Sequence, residues 1–234
     1  MRITPETLMK IARDTVDLRS KADRDILAAF VHGSLLDEDP LLGGTADIDL
    51  FLISNSDFAE RREIVRLTDD VHLDITHQPR KMYRQGKELR LHPWIGPTVY
   101  HCKILYDPQH FLDFTQASVR GQFNRPENVL GRARQLAEHA RQVWLSFQME
   151  PKEPGIEDQL TYLKAVEKCG NAIASLSGPP LTERRFLLQL PQRAEAAGNR
   201  GLYNGFLGLI GGPSVDASQL QARLPGWQAA YEAI

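Results

Sequence analysis

The hydrophobic pattern of this chain changes its period part-way along, and that change limits what the chain can fold into. Up to about residue 110 the apolar residues come in short runs: Ile26 to His32 (ILAAFVH), Asp47 to Ile53 (DIDLFLI), Val71 to His77 (VHLDITH) and Cys102 to Tyr106 (CKILY). Runs of this length read as strands, and the third alternates apolar with polar, as a strand with two different faces does. Thr4-Pro5-Glu6 opens a helix, with Thr4 at the N-cap and Pro5 at the first helical position. Leu8, Ile11, Ala12 and Thr15 follow on one side of it. Further helices are expected from about Asp57 to Leu67 and from Arg80 to Leu89. Beyond residue 110 the strand-like runs vanish. Val129, Leu130, Ala133, Leu136, Ala137, Ala140, Val143, Trp144 and Phe147 form one helical stripe, which MEPKEPG at 149–155 breaks. Ile156, Leu160, Leu163, Val166, Gly170 and Ile173 form a second, stopped at Gly178-Pro179-Pro180. Shorter helical segments run from Thr182 to Leu190, Leu202 to Ile210 and Val215 to Leu224. The expected fold is therefore α+β: an α/β domain with a short mixed sheet over residues 1–110, then an α-helical bundle over residues 111–234.

A chain of 234 residues is long enough to bury both cores without disulfides. Its 42% hydrophobic and 25% charged residues are an ordinary globular balance that excludes intrinsic disorder. A net charge of −2 supplies no global field for long nucleic acid. Cys102 and Cys169 lack metal-ligand spacing and read as reduced thiols. No apolar run approaches the roughly 20 residues that span a bilayer, and the N-terminus has no signal-peptide pattern, so a cytoplasmic protein is expected.

The chemistry gathers in the first half. Alternation along the Asp47–Ile53 strand puts Asp47 and Asp49 on one face, about 7 Å apart, with Ile48, Leu50 and Leu52 on the other. Two carboxylates so placed call for a neutralising cation, and Mg²⁺, which takes oxygen ligands from carboxylates and substrate phosphates, is suited to the role. Asp74 shares a strand face with His72 and Thr76, and completes a three-carboxylate cluster if its strand adjoins the first. Gly33-Ser34 closes the strand before them. A glycine there lets backbone approach a phosphate, its amides can form an anion-binding nest, and the Ser34 hydroxyl adds a donor. Each signal alone is generic: Asp-x-Asp decorates many loops, and Gly-Ser marks many turns. The order and spacing of all three are far rarer.

At these residues the chain resembles the nucleotidyltransferase superfamily typified by DNA polymerase β. The family pattern is an apolar strand, Gly-Ser, a spacer, Asp-apolar-Asp and a third carboxylate on a later strand. Here it reads Val31-His32-Gly33-Ser34, twelve residues, Asp47-Ile48-Asp49-Leu50, then Asp74. The resemblance covers residues 26 to 77, and the two-part organisation is similar to that of small members such as the aminoglycoside nucleotidyltransferases. One departure is Ala46 where the family commonly has Ser or Thr, with Thr45 one position earlier. Asp37, Glu38 and Asp39 in the spacer read as solvated loop charges.

The resemblance implies an enzyme with Asp47, Asp49 and Asp74 as catalytic residues and ligands of two Mg²⁺ ions, and Gly33 and Ser34 on the β- and γ-phosphates. The co-substrate would be an NTP, expected to be ATP. NMP, expected to be AMP, would pass to a hydroxyl of a small-molecule acceptor with release of pyrophosphate. The alternatives are a minimal toxin–antitoxin type of enzyme that modifies protein or RNA, and a non-catalytic nucleotide sensor. Acceptor identity, base preference and oligomeric state stay open, a homodimer included. In the helical half, Lys164, Lys168 and Asn171 fall along one polar face. A solvated face is the plain reading; the functional one puts Lys168 on the triphosphate, as a lysine from the corresponding region does in several family members. Arg184 and Arg185, in the first turn after Thr182, oppose the helix dipole and could meet a phosphate. Arg134 and His139 have the spacing of the HEPN ribonuclease motif but sit inside an amphipathic helix. Trp94, Trp144 and Trp227 read as packing residues.

Overall fold

A computed structural model describes residues 4–36, 46–149, 153–182 and 185–233. The spacer residues Asp37, Glu38, Asp39 and Thr45, and Arg184, lie outside them. The chain divides into two compact units, Met1–Val129 and Leu130–Ile234. The first reaches past the expected boundary at residue 110 because the next helix packs within it.

In the first unit, helix α1 (Pro5–Ala22) begins where expected: Thr4 Oγ1 accepts from the Thr7 amide at 3.3 Å. Its Leu8, Ala12 and Val16 are buried against a five-stranded mixed sheet. The strands are β1 (Ile26–His32), β2 (Ala46–Ser54), β3 (Arg61–Arg66), β4 (Val71–Pro79) and β5 (Lys103–Tyr106), in the order β3-β4-β2-β1-β5. β2 and β4 are parallel and every other pair is antiparallel.

Both faces of the sheet are covered. Val31, Ile48, Leu50, Leu52, Leu73 and Ile75 form one core with α1. On the reverse face, Ala28 and Phe30 pack with Tyr83, Leu89, Val99, Leu112 and Val119. Those residues come from a 3₁₀ turn (Arg80–Tyr83) and helices α2 (Gly86–Leu91), α3 (Ile95–His101) and α4 (Phe111–Arg120). Phe51 stacks on Phe30 with ring centroids 4.7 Å apart and belongs to this second core. Cys102 is buried here and its thiol is pushed up to about 12 by that burial.

The helix expected over Asp57 to Leu67 is not formed; β3 occupies most of that stretch. Read with period two, Glu63 and Val65 turn half-buried toward α1, while Arg62, Ile64 and Arg66 take the other face. Glu63 is held there by Arg19 of α1 and by His77 Nε2 at 3.5 Å. Burial pushes its carboxyl up, but these partners outweigh burial and leave it below the usual range. The charged residues favour a helix locally; pairing with β4 prevails, and the arginines are suited to an edge strand, where they oppose further pairing.

The second unit is helical: α5 (Pro126–Met149, which begins in the first unit), α6 (Ile156–Ala174), α7 (Phe186–Ala196), α8 (Gly201–Leu209), a 3₁₀ turn (Gly212–Ser214) and α9 (Ala217–Glu232). Its core joins Val166, Ala174, Leu181, Phe186, Leu190 and Phe206. Gly170 lies so close to Phe186 that a Cβ there would stand 2.6 Å from the ring. The α6 stripe is buried only toward its C-terminal end: Val166 and Gly170 are inside, while Ile156, Leu160 and Leu163 are exposed. Trp144 and Trp227 are exposed rather than packed inside, and none of the residues of α9 is buried. Among the described residues no helix is long and apolar enough to cross a membrane.

The polar row on α6 is also corrected. Lys164 is exposed and Lys168 half-buried, but Asn171 is fully buried. Its amide clamps the chain beyond the helix: Oδ1 accepts from Leu181 N at 2.7 Å, and Nδ2 donates to Leu181 O at 3.2 Å. Asn171→Ala strands both backbone groups in the core, so denaturant unfolding should show a loss of about 2 kcal/mol. A change within a few tenths of a kcal/mol would mean that the clamp is not what holds Leu181.

Candidate active site

The site begins where β1 stops. The apolar strand ends at His32, and Gly33 turns the chain with φ +78° into a one-turn 3₁₀ segment (Gly33–Leu36) anchored by buried Leu35. His32 is the register partner of Asp49, so the turn folds directly over that residue. A Cβ on Gly33 would lie 2.0 Å from Asp49 Oδ2. Both the left-handed backbone and the close approach demand glycine here. Ser34 is half-buried beside it.

The carboxylates come together through strand register. In the parallel β2–β4 pair, Asp49 is opposite Asp74 and Asp47 is opposite His72. Neighbouring strands are about 4.8 Å apart, so Asp49 and Asp74 are immediate neighbours on the face that carries Asp47. His72 Nδ1 lies 3.6 Å from Asp47 Oδ1. Farther along the same face Phe51 enters the second core, which walls off that end of the row. Ala46 lies in the α1-side core, on the opposite face from Asp47, so a hydroxyl in its place would point away from the aspartates.

One member of the site was hidden in the sequence. Arg62 on β3 reaches Asp74 with a two-nitrogen fork: Nε donates at 2.7 Å from both carboxylate oxygens, and Nη2 donates to Oδ2. Asp74 is only 7% exposed, whereas the Arg62 side chain is 66% exposed. Burial, then the charges of Asp74 and Asp47, push the Asp49 carboxyl up to about 7 against the opposing pull of Arg62. His32, half-buried, is pushed down to about 4 by that burial and by the charge of His101, and is neutral at pH 7.

The chemistry of the donor set fits a hard divalent cation: three carboxylates on one sheet face, one resisting ionisation through burial and then through the charges of the other two. As they stand among the described residues, no three His, Cys, Asp or Glu side chains converge to hold a metal. The Arg62 fork engages both oxygens of Asp74. The nucleotide-binding candidate Lys168 belongs to the other unit, on α6. Arg185 is the N-cap of α7, and Arg134 and His139 are exposed on α5, as solvated helix faces are.

No family model and no curated protein matches the chain. Among solved structures it is similar to a nucleotidyltransferase-like protein from Exiguobacterium sibiricum 255-15, with 15% sequence identity and a TM-score of 0.41, over 96% of this chain and 79% of that one.

Proposed function

We propose that this chain is a Mg²⁺-dependent nucleotidyltransferase that moves NMP, with AMP the expected case, from an NTP to the hydroxyl of a small-molecule acceptor. The observation that carries the reading is the Gly33 turn pressed onto Asp49, with Asp74 its register partner and Asp47 on the same face. That juxtaposition would set backbone donors beside carboxylates, as a triphosphate with its cation requires. Gly33 and Ser34 would hold the β- and γ-phosphates with backbone and hydroxyl donors. Asp47, Asp49 and Asp74 would hold the Mg²⁺ ions, which when bound supply charge neutralisation for the triphosphate and acidify the acceptor hydroxyl. The acceptor oxygen would bond to the α-phosphorus as the bond to the pyrophosphate oxygen breaks, and Asp74 would take the acceptor's proton. The helical domain is assigned to acceptor selection, and the protein to the cytoplasm.

A macromolecular acceptor is the second reading. Leu220, Leu224, Trp227 and Tyr231 recur along one side of α9 and are all exposed, as a protein-docking helix would have them.

The test is pyrophosphate release from each NTP with Mg²⁺, against hydroxylated small molecules, aminoglycosides among them, and against co-expressed proteins. ATP-dependent labelling of a small acceptor, lost in Asp47→Ala and Asp49→Ala, is expected. Labelling of protein alone would favour the second reading, and nucleotide binding without turnover on any acceptor would leave a sensor. Because a cation needs an ionised Asp49, turnover at limiting Mg²⁺ should rise with pH through about 7, the carboxyl's own range. A rate independent of pH between 6 and 8 would count against a metal role for Asp49.

A further inference from the structure

We infer that Arg62 is the resident counter-ion of the carboxylate cluster: it occupies Asp74 while the site is empty, and passes to the triphosphate when a divalent cation and nucleotide arrive. The inference rests on the reading of the site as a metal–nucleotide site.

The placement comes from strand register. Arg62 is opposite Thr76 on β4, and Ile64 is opposite Asp74. Arg62 is therefore the diagonal neighbour of Asp74 on the same face, a separation that only a long side chain bridges. The neighbouring arginine on that face, Arg66, pairs instead with exposed Asp69 beyond the strand. The fork fits Asp74 as only a planar guanidinium can, meeting both oxygens at once.

Three negative charges on one face of a sheet repel one another, and an empty site needs a positive charge among them. The structure supplies it from the edge strand. A divalent cation shared by Asp47, Asp49 and Asp74 needs oxygen atoms that the fork engages, and it repels the guanidinium. Cation and arginine therefore compete for one carboxylate.

Exposure decides which partner moves. Asp74 is buried on a strand paired on both sides. The Arg62 side chain is two-thirds exposed, so its head can leave for water without a charge being stranded inside. The released guanidinium remains beside the site, where triphosphate oxygens are the strongest acceptors to enter. Metal and nucleotide then load together, because each removes what hinders the other.

The test measures Mn²⁺ binding by electron paramagnetic resonance, with and without a non-hydrolysable ATP analogue. It uses the full chain as wild type, Arg62→Gln, Arg62→Lys and Asp47→Asn. Without nucleotide, Arg62→Gln should bind Mn²⁺ about tenfold tighter than wild type, yet bind the analogue about tenfold more weakly, a difference of about 1.4 kcal/mol each way. Arg62→Lys should fall between, and it keeps the comparison open should the glutamine variant not fold. A purely structural role would weaken both ligands together. Mn²⁺ binding unchanged in the Arg62 variants but lost in Asp47→Asn would overturn the counter-ion and leave the metal site standing. No Mn²⁺ binding by any of the four, with analogue binding indifferent to Asp47→Asn, would overturn the metal–nucleotide reading itself, and the inference with it.

Discussion

Asp49→Asn should lower nucleotidyl transfer about a thousandfold and, at pH 8, make the protein harder to unfold. The first effect is that of removing one charged group from a preorganised electrostatic site. The second follows from proton linkage. In the unfolded chain an aspartate ionises near 3.9, whereas burial beside Asp74 and Asp47 holds the folded carboxyl at about 7. Between those values the folded state carries the extra proton, so stability falls as pH rises across the interval, and the whole penalty is present above it. The shift corresponds to a ceiling of about 4 kcal/mol, and partial exposure of Asp49 brings the expectation nearer 2. Asparagine has no charge to lose. Its melting temperature should exceed wild type by about 4–8 °C at pH 8, with the gap closing by pH 4–5. Thermal unfolding at the two pH values measures this. Equal melting curves at pH 8 would show that the carboxylates do not destabilise one another in the fold.

Gly33→Ala should remove activity by a different route. Its φ of +78° costs an alanine about 1–2 kcal/mol, and the added methyl would stand 2.0 Å from Asp49 Oδ2. The turn or the carboxylate must give way, and either shift separates the backbone proposed to bind phosphate from the proposed cation ligand. We expect a loss of about 2–3 kcal/mol in urea unfolding and a drop in transfer of at least about a hundredfold, the scale of a 1 Å misplacement. Gly205→Ala is the control. A Cβ there meets nothing within 4 Å, and alanine suits the interior of α8 better by about 0.8 kcal/mol. If both substitutions are equally tolerated, the contact between turn and carboxylate is not essential.

The contrast between these residues and Arg62 explains what the sequence made legible. Asp47, Asp49 and Asp74 sit on apolar strands whose alternation assigns each side chain a face, and β1, β2 and β4 formed close to where expected. Register is a long-range property, so the pairing of Asp49 with Asp74 could only be posed as a condition. β3 escaped because its arginines and glutamate favour a helix locally, and only its pairing with β4 makes it a strand; Arg62 was hidden with it. In the helical half, Asn171 shares a polar row with Lys164 and Lys168, yet helix packing turns it into the core. Periodicity locates a polar face, and it does not say where that face rotates inward. Packing likewise carried the first unit past residue 110, since α4 covers the sheet and its own stripe does not say what it covers.

The strand order has a consequence for how such a site could diversify. The aspartates stand on the two adjoining central strands, β2 and β4, where most neighbours are core residues and a change disturbs the fold. The arginine that answers them stands on the rim, on β3, with one strand neighbour and an exposed side chain. Substitution at position 62 acts directly on the charge of the cluster, and its cost falls on buried Asp74 rather than on the packing of the sheet. A change at the margin of the sheet can thus alter the charge around the three aspartates and leave the strands that position them in place.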